Sequence, residues 1–457
     1  MQKSSDFIGT EPIPSLLVRF AVPAMTSSFI NCLYNIVDRL YIGRGVGPDA
    51  MAGLSLTFPY MIILASFGMM IGQGSGAIVS ILLGEKRKED ANKVLGQAMA
   101  MYLLFIVTFQ ALGIIFLDET LRYFGATEAA LPYAKDYLTI ILWGNLFQHI
   151  SFGMSNVMRA EGNAMRAMGV VILGAVSNII LDPIFIFGFN LGIKGAAIAT
   201  ILAMMISSSW VMLHFIRGGV LKLHLKYIRI YPHLFFRVLA IGISPCLMQI
   251  LHSTVVIVYN HCFIHFTPDV FTANICIAAF GIINPVAMLL LTPTFGINMG
   301  LQPIIGYNTG AKLYHRVAQT LKLAITSASI LCASMALLIT LTAHLIAKAF
   351  TKDPALEEMT VHALRVMSAG FTFIGIGILT GTYYQSIDRA GVSIVLSVLR
   401  QGLILIPTII LFPMLLGYKA IWWAGSFSDC CSGLVCLIMV LLELKRLRNL
   451  ANPPVVG

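Results

Sequence analysis

Apolar runs recur from one end of the chain to the other, and short stretches with glycine or charged residues separate them. A helix needs about 20 apolar residues to cross a bilayer, and most of these runs reach that length. The pattern therefore predicts an all-α integral membrane protein with twelve transmembrane helices. The predicted helices cover residues 15–40, 51–80, 91–117, 132–158, 165–187, 194–216, 234–264, 274–306, 317–347, 361–384, 393–415 and 420–443.

Two aspartates interrupt this apolar pattern, Asp38 in SFINCLYNIVDRLYIG and Asp182 in VSNIILDPIFIFG. A charge at the bilayer centre costs roughly 3 kcal/mol, so such residues indicate an ion or proton site. Asn178 lies four residues before Asp182 and therefore shares its helix face. Pro183 has no backbone N–H, which frees the carbonyl of Ile179. Together these oxygens form a set of hard ligands suited to a small cation.

The first predicted helix combines a titratable group with a point of flexibility. Tyr34 and Asp38 are four residues apart, and Pro23 in FAVPAM provides a kink. Two carboxylates in one low-dielectric site do not both stay charged without a counterion, so H⁺ or Na⁺ would bind among Asp38, Asn178 and Asp182. The alternative is that both aspartates are helix-end residues at the membrane interface, where they cap the helices or extend their side chains toward water.

Composition supports the membrane class and excludes several others. The chain is 58% hydrophobic and 11% charged, whereas a soluble domain is about 25% charged. The formal net charge of +10 does not indicate nucleic-acid binding, because the basic residues fall in alternate loops. No G-x-x-x-x-G-K-[ST], G-x-S-x-G or H-E-x-x-H motif occurs, so neither an enzyme nor a cofactor is expected.

The loop charges predict an orientation. One set of loops and the tail is rich in basic residues, at Lys86, Arg87, Lys88, Lys93, Arg159, Arg166, Arg217, Lys222, Lys226, Arg229, Arg237, Lys312, Arg316, Arg389, Lys445, Arg446 and Arg448. The opposite loops are poorer in lysine and arginine. The positive-inside rule therefore places both termini in the cytoplasm.

The chain also repeats itself. FGMMIGQGSG resembles FGINMGLQPI with Gly72 and Gly300 in register, 300 − 72 = 228 residues apart. LGIKGAA resembles LGYKAIW with Gly192 and Gly417 in register, 417 − 192 = 225 residues apart. The repeat predicts two pseudo-symmetric six-helix lobes related by an axis along the membrane normal. The predicted boundaries are residues 1–216 for the N-lobe, 217–233 for a cytoplasmic linker and 234–457 for the C-lobe.

The second half offers a weaker signal for chemistry. It lacks an equivalent pair of carboxylates, because the seventh and eighth helices contain none in mid-membrane and Asp388 and Glu443 lie near helix ends. Arg400 is interpreted as an interfacial residue near the start of the eleventh helix. The coupling ion is therefore predicted to bind in the N-lobe. Flexible methionines and polar side chains within the helices suit a promiscuous cavity, although ordinary packing explains them as well. The candidate cavity residues are Met204, Gln249, Asn260 and Met288.

Five segments resemble the multidrug and toxic compound extrusion (MATE) family, most closely its bacterial branch of DinF-like proteins. They are VPAMTSSFINCLYNIVDRLYIG, MRAEGNAMRAM, SNIILDPIFIF with GIKGAAIAT, and GLQPIIGYNTGAK. The resemblance implies a MATE-like fold of two six-helix lobes around a cleft, and export driven by inward H⁺ or Na⁺ flux. It also implies that Pro23 is the hinge of the first helix. The ion or proton site of this branch maps onto Tyr34, Asp38, Asn156, Asn178, Asp182 and Thr200.

These observations predict a cation-coupled antiporter that expels hydrophobic, often cationic small molecules, including antibiotics, by alternating access. The expected partners are such substrates, H⁺ or Na⁺ and the lipid bilayer, with no nucleic acid and no second subunit. The expected location is the bacterial cytoplasmic (inner) membrane. The alternatives are a flippase for lipid-linked precursors and, in another class, an intramembrane aspartyl protease, although the G-x-G-D signature of that class is missing.

Overall fold

The computed structural model of the protein describes residues 5–123 and 130–451, and helices account for almost all of them. The α-helices are α1 Phe7–Thr10, α2 Ile13–Gly45, α3 Pro48–Gly84, α4 Lys88–Ile115, α5 Leu117–Tyr123, α6 Leu131–Ala160, α7 Ala164–Pro183, α8 Gly192–Arg217, α9 Pro232–Phe266, α10 Val270–Gly310, α11 Tyr314–Phe350, α12 Pro354–Ser368, α13 Phe371–Ser386, α14 Ala390–Val398, α15 Ile406–Leu416 and α16 Ile421–Ala451. Two π-helical segments, Ile184–Gly188 and Leu399–Leu405, and two 3₁₀ turns, Leu225–Tyr227 and Tyr418–Ala420, complete the described secondary structure.

The all-α membrane fold is confirmed. Within the described ranges, 10 helices are long and apolar enough to cross a membrane, and the pair α12 and α13, bent by 50°, makes an eleventh. The remaining predicted segment is α6, a helix of 30 residues that contains Lys135, Asp136 and Arg159. Most of its residues are buried within the protein, and a helix surrounded by protein can be more polar than one that faces lipid.

The helices form two compact units. Unit 1 contains residues 1–10 and 26–246, and unit 2 contains residues 11–25 and 247–457. These bounds differ from the predicted lobes, because the chain passes from one unit to the other inside α2 and inside α9. Each passage lies beside a proline, Pro23 in α2 and Pro245 in α9.

Close backbone packing explains why the first part of α9 belongs to unit 1. Gly74 of α3 lies against the carbonyl of Val238, and Gly242 of α9 lies against the carbonyl of Met70. A side chain at either glycine would collide with main-chain atoms, so only glycine permits these approaches. The same packing occurs within unit 2, where a Cβ on Gly300 would stand 3.1 Å from the amide nitrogen of Ala21.

The predicted linker, residues 217–233, is fastened to unit 1 by hydrogen bonds to side chains of α4. The amide of Lys222 donates to Asn92 Oδ1 at 2.9 Å, and the amide of Tyr231 donates to Gln97 Oε1 at 2.6 Å. The linker is therefore an ordered part of unit 1, which sequence patterning alone did not predict.

A buried acidic group holds the start of the same linker. Glu161, which is 0% exposed, accepts a hydrogen bond from the amide of Leu221 at 2.9 Å and also contacts His214. Arg166 donates to His214 Nδ1 at 2.8 Å. Because arginine can only donate, Nδ1 is the acceptor and the ring proton is on Nε2, where it faces the Glu161 carboxylate.

The orientation predicted from loop charge can be tested on exposed positions of unit 1. Arg87 lies in a basic loop, Leu225 of the linker is 87% exposed, and Tyr123 at the end of α5 is 88% exposed. In a background with serine at Cys32, Cys430 and Cys431, Arg87→Cys and Leu225→Cys are expected to resist a membrane-impermeant thiol reagent in sealed cells. Tyr123→Cys is expected to react. Labelling of Arg87→Cys from outside would contradict the predicted topology.

Candidate functional site

The candidate site begins on α7, where Asn178 and Asp182 lie one turn apart on the buried face. Asn178 is 2% exposed and Asp182 is 0% exposed. The Nδ2 group of Asn178 donates to Asp182 Oδ1 at 3.1 Å and lies 3.4 Å from the Thr200 hydroxyl of α8. The predicted pairing of the amide with the carboxylate is therefore present, and α8 adds a hydroxyl. Asp182 is enclosed by protein, unlike an interfacial side chain that extends to water.

Helix α2 brings a second carboxyl to this face. The Asp38 carboxyl lies close enough to Asp182 to interact with it directly, and both act electrostatically on the phenol of Tyr34. A second phenol, Tyr137 of α6, is 3% exposed and lies close to Asp38, Tyr34 and Thr200. The site therefore draws side chains from α2, α6, α7 and α8, all within unit 1.

Three oxygens of this cluster lack hydrogen-bond donors. Asp38 Oδ1, Asn178 Oδ1 and Asp182 Oδ2 are buried and have no partner among the described residues. A buried acceptor without a donor is costly, and a buried carboxylate pair more so. Carboxylate and amide oxygens are also the ligands that hard cations prefer. The donor set therefore fits a proton shared by the carboxyls or a small cation such as Na⁺ held by the three oxygens.

The backbone after Asp182 is irregular, as the proline predicts. Pro183 is the last residue of α7, and the chain continues as the π-helical segment Ile184–Gly188. Proline cannot donate to the carbonyl four residues earlier, and single π turns within helices occur often at functional sites. A second π-helical segment, Leu399–Leu405, lies in unit 2 between α14 and α15, and there no proline precedes it.

The other predicted residues have different surroundings. Asn156 donates to the Phe152 carbonyl at 3.1 Å and accepts from Arg159 at 2.7 Å. Its amide is thus engaged within α6, and its hydrogen bonds do not join it to the cluster. The candidate cavity residues divide between the units, with Met204 in unit 1 and Gln249, Asn260 and Met288 in unit 2. Met288 is 43% exposed and the other three are half-buried.

Sequence reasoning missed two polar residues of α6. Besides Tyr137, Asn145 lies eight residues further along the same helix face and is 1% exposed. Both polar atoms of its side chain are buried without a partner in the described part of the chain. Their spacing of about two helical turns was the available signal.

The interfacial placement of Arg400 was wrong, because its side chain pairs with a buried carboxylate of the last helix. Asp429 of α16 is 6% exposed, and Arg400 Nε donates to its Oδ1 at 2.7 Å. Arg400 lies well inside the span Ala390–Leu416, which begins earlier than predicted. The ion pair became visible only when the two helices were placed side by side.

Long apolar helices in two units, each with ionised or ionisable side chains buried inside it, are the architecture of a polytopic membrane transporter. The chain belongs to the MatE family, whose model matches residues 23–184 and 246–411. The matched segments begin 246 − 23 = 223 residues apart, close to the offsets of the internal repeat. The predicted resemblance is thereby confirmed, and the family is one of transporters and not of enzymes.

Relatives agree with this assignment, and solved structures share the fold, over nearly the whole length. The multidrug export protein MepA of Staphylococcus aureus (strain N315) is 26% identical over 442 residues, which is 95% of each chain. The crystal structure of a MATE protein in the bent conformation superposes with a TM-score of 0.91 at 22% identity, over 99% of both chains. The straight conformation gives a TM-score of 0.90 at 23% identity, over 98% of this chain and 100% of that chain.

Proposed function

We propose that this protein is a cation-coupled antiporter that expels hydrophobic, often cationic small molecules by alternating access. The observation that carries the proposal is the set of three buried oxygens without donors, on Asp38, Asn178 and Asp182. An intramembrane ionisable group with no structural counterion indicates an ion or proton pathway. The similar MepA proteins are named multidrug export proteins. This name supports small molecules as the substrates and export as the direction of transport.

The cluster can accept either ion. As H⁺ carrier, one carboxyl of the Asp38 and Asp182 pair takes up the proton and donates it to the other, while Asn178 holds Asp182 in place. As Na⁺ site, the two carboxylates and the Asn178 oxygen form the ligands, with the hydroxyls of Thr200 and Tyr34 nearby. In both cases ion binding removes one negative charge from the interior of unit 1, and this change of charge is the source of coupling.

The deciding experiment is transport by the full-length protein in proteoliposomes. The lipophilic cation ethidium is loaded on the side that corresponds to the cytoplasm, and a pH gradient or a Na⁺ gradient is imposed separately. Efflux driven by either gradient, and abolished when that gradient is collapsed, is the expected result. Efflux that depends on neither gradient would contradict the proposal.

Two rival functions have their own readouts in the same preparation. An intramembrane aspartyl protease also needs two neighbouring carboxyls, and the Asp38 and Asp182 pair meets that requirement. Cleavage of a model membrane peptide without gradient-driven efflux would favour that class. A precursor flippase would instead move a lipid-linked probe between leaflets.

We propose Pro23 as the hinge of α2, because it lies close to the point at which α2 passes from unit 2 to unit 1. Within α2, residues 13–25 belong to unit 2 and residues 26–45 belong to unit 1. Proline inside a helix breaks one backbone hydrogen bond and lowers the cost of bending at that point. A bend at this position would change the surroundings of Asp38, four turns further along.

Pro23→Ala is expected to restore the missing hydrogen bond and favour the straight helix. Since interior proline costs a helix about 3 kcal/mol, turnover should fall about tenfold or more, while dye affinity changes less than about twofold. Turnover in proteoliposomes and equilibrium dye binding measure the two effects. Pro59→Ala is the matched control, because Pro59 also lies inside a helix but within unit 1 alone. Equal losses of affinity and turnover would indicate a packing role for Pro23.

The setting follows from the same proposal. We infer a bacterial cytoplasmic membrane, with both termini in the cytoplasm and a single chain as the working unit. The basic loops supply the argument for orientation, and the thiol-labelling experiment on Arg87 and Leu225 tests it.

A further inference from the structure

Two opposite charges meet inside unit 2 at a depth where charge is rare. Arg400 is the eleventh of the 27 residues of the span Ala390–Leu416, and Asp429 is the twelfth of the 34 residues of the span Tyr418–Ala451. Their side chains are 20% and 8% exposed, respectively. Ionisable residues within membrane spans are rare and functional by default. The pair of Arg400 and Asp429 takes no part in the proposed ion site of unit 1.

The contact between them leaves most of the guanidinium group unused. Only Nε of Arg400 donates to Asp429, at 2.7 Å to Oδ1. The two Nη groups have no protein acceptor in the ranges that the structure describes. A guanidinium commonly binds a carboxylate through two parallel N–H donors, and Arg400 retains such a pair of donors for a second acceptor.

The backbone presents Arg400 in a fixed position. It lies in the π-helical segment Leu399–Leu405, where the regular pattern of main-chain bonds is lost. The Ser428 hydroxyl donates to the Arg400 carbonyl at 2.7 Å and so ties this segment to α16. The guanidinium is therefore held by α16 at both its side chain and its main chain.

Polar atoms and an aromatic surface lie nearby. Gln401 Oε1 is buried without a hydrogen-bond partner in the described structure, and the Tyr259 hydroxyl lies beside the backbone of Gly425. The Tyr259 ring stacks on Phe280 with a centroid distance of 4.7 Å, and Phe263 packs on Trp422 at 4.9 Å. Tyr259 is also close enough to Asp429 to interact with it electrostatically. A ligand at Arg400 would thus meet hydrogen-bonding groups beside an aromatic cluster.

We propose that Arg400 and Asp429 form an anion-binding subsite, at which the carboxylate of an amphipathic substrate replaces Asp429 as the counterion of Arg400. Because the pair is neutral as a whole, it offers little to a lipophilic cation. A carboxylate gains the free Nη donors and competes with Asp429 for the same positive charge. The subsite would extend the substrates of the proposed exporter to organic acids and zwitterions. It rests on the proposed function only because it takes the ligand to be a transported substrate.

Equilibrium binding to the purified full-length protein tests the subsite without any gradient. The probes are dansyl-6-aminohexanoic acid and its methyl ester, which differ in the charge of one group. Asp429→Asn removes the competing counterion and is expected to tighten binding of the acid about 10- to 100-fold. Arg400→Gln, and the double variant that removes both charges, should weaken binding of the acid by a similar factor. Ester affinity should stay within about twofold in all three.

The opposite signs of the two single variants distinguish a subsite from a structural clamp. If Asp429→Asn and Arg400→Gln weaken acid and ester equally, the pair only fastens α16 to its neighbour and the proposal is wrong. If Asp429→Asn does not fold, the double variant decides, and acid binding at the wild-type level would overturn the proposal. Arg389→Gln is the control, because Arg389 lies 3.8 Å from Glu443 in the same unit. Ethidium efflux by the wild type tests the exporter separately, so the two proposals can fail independently.

Discussion

Asp182→Asn is expected to abolish gradient-driven efflux while the protein still folds. Asparagine has the same shape, and its amide can donate to the Asn178 oxygen that has no partner, so the packing of α7 is preserved. The negative charge that we propose holds the ion is lost. Removing one member of a buried charge pair costs about 3–5 kcal/mol, which corresponds to roughly 100-fold or more in ion affinity. Efflux in proteoliposomes should therefore fall to the level of empty vesicles.

Asp38→Asn should have the same effect, because the two carboxyls share one site. Asn178→Ala removes a neutral ligand only and should slow efflux roughly 3- to 10-fold. Asp136→Asn is the matched control, since it makes the same chemical change at an exposed pair with Lys194, and such pairs contribute little. If Asp38→Asn and Asp182→Asn both expel ethidium at the wild-type rate, the cluster is structural and the coupling mechanism is wrong.

The second large effect concerns competition between the ion and a cationic substrate. In the proposed mechanism, ion binding at Asp38, Asn178 and Asp182 lowers the negative charge of unit 1, and we expect it to favour a bent α2. A lipophilic cation then loses electrostatic attraction and space. Linkage requires that the substrate weaken ion binding by the same factor, typically about 5- to 150-fold.

Dye binding to the purified protein measures this coupling directly. Lowering the pH from about 8 to 6, or adding Na⁺ at constant ionic strength, should weaken ethidium binding within the same range of about 5- to 150-fold. Choline at equal concentration controls for screening by salt. Asp38→Asn should remove most of the sensitivity. A wild-type affinity that depends on neither pH nor Na⁺ would refute direct competition.

Local patterns determined much of what could be predicted. The length and apolarity of the runs are properties of single segments, and each predicted helix coincides with a helix or helix pair of the structure. The Asn178 and Asp182 contact was predictable because residues four apart on a helix always share a face. The irregular turn after Pro183 was predictable for the same local reason.

Contacts between distant segments were beyond such reasoning. Nothing in the sequence places Tyr137 near Asp38, and nothing joins Arg400 to Asp429, because these pairs depend on which helix faces pack together. A signal for Asp429 did exist, since it is a carboxylate well inside the predicted helix 420–443. Its significance went unrecognised without the position of its arginine.

The sequence by itself therefore determined the class of protein, the helices, the repeat and the contact between Asn178 and Asp182. These follow from the cost of burying charge and main-chain polar groups in lipid, which acts on every segment separately. The tertiary structure decided that α2 and α9 each change unit beside a proline, that the linker is fastened to unit 1, and that each unit contains buried charged or ionisable groups. Those features arise from packing between segments far apart in the chain. There a single glycine or hydrogen bond can decide which helix packs against which.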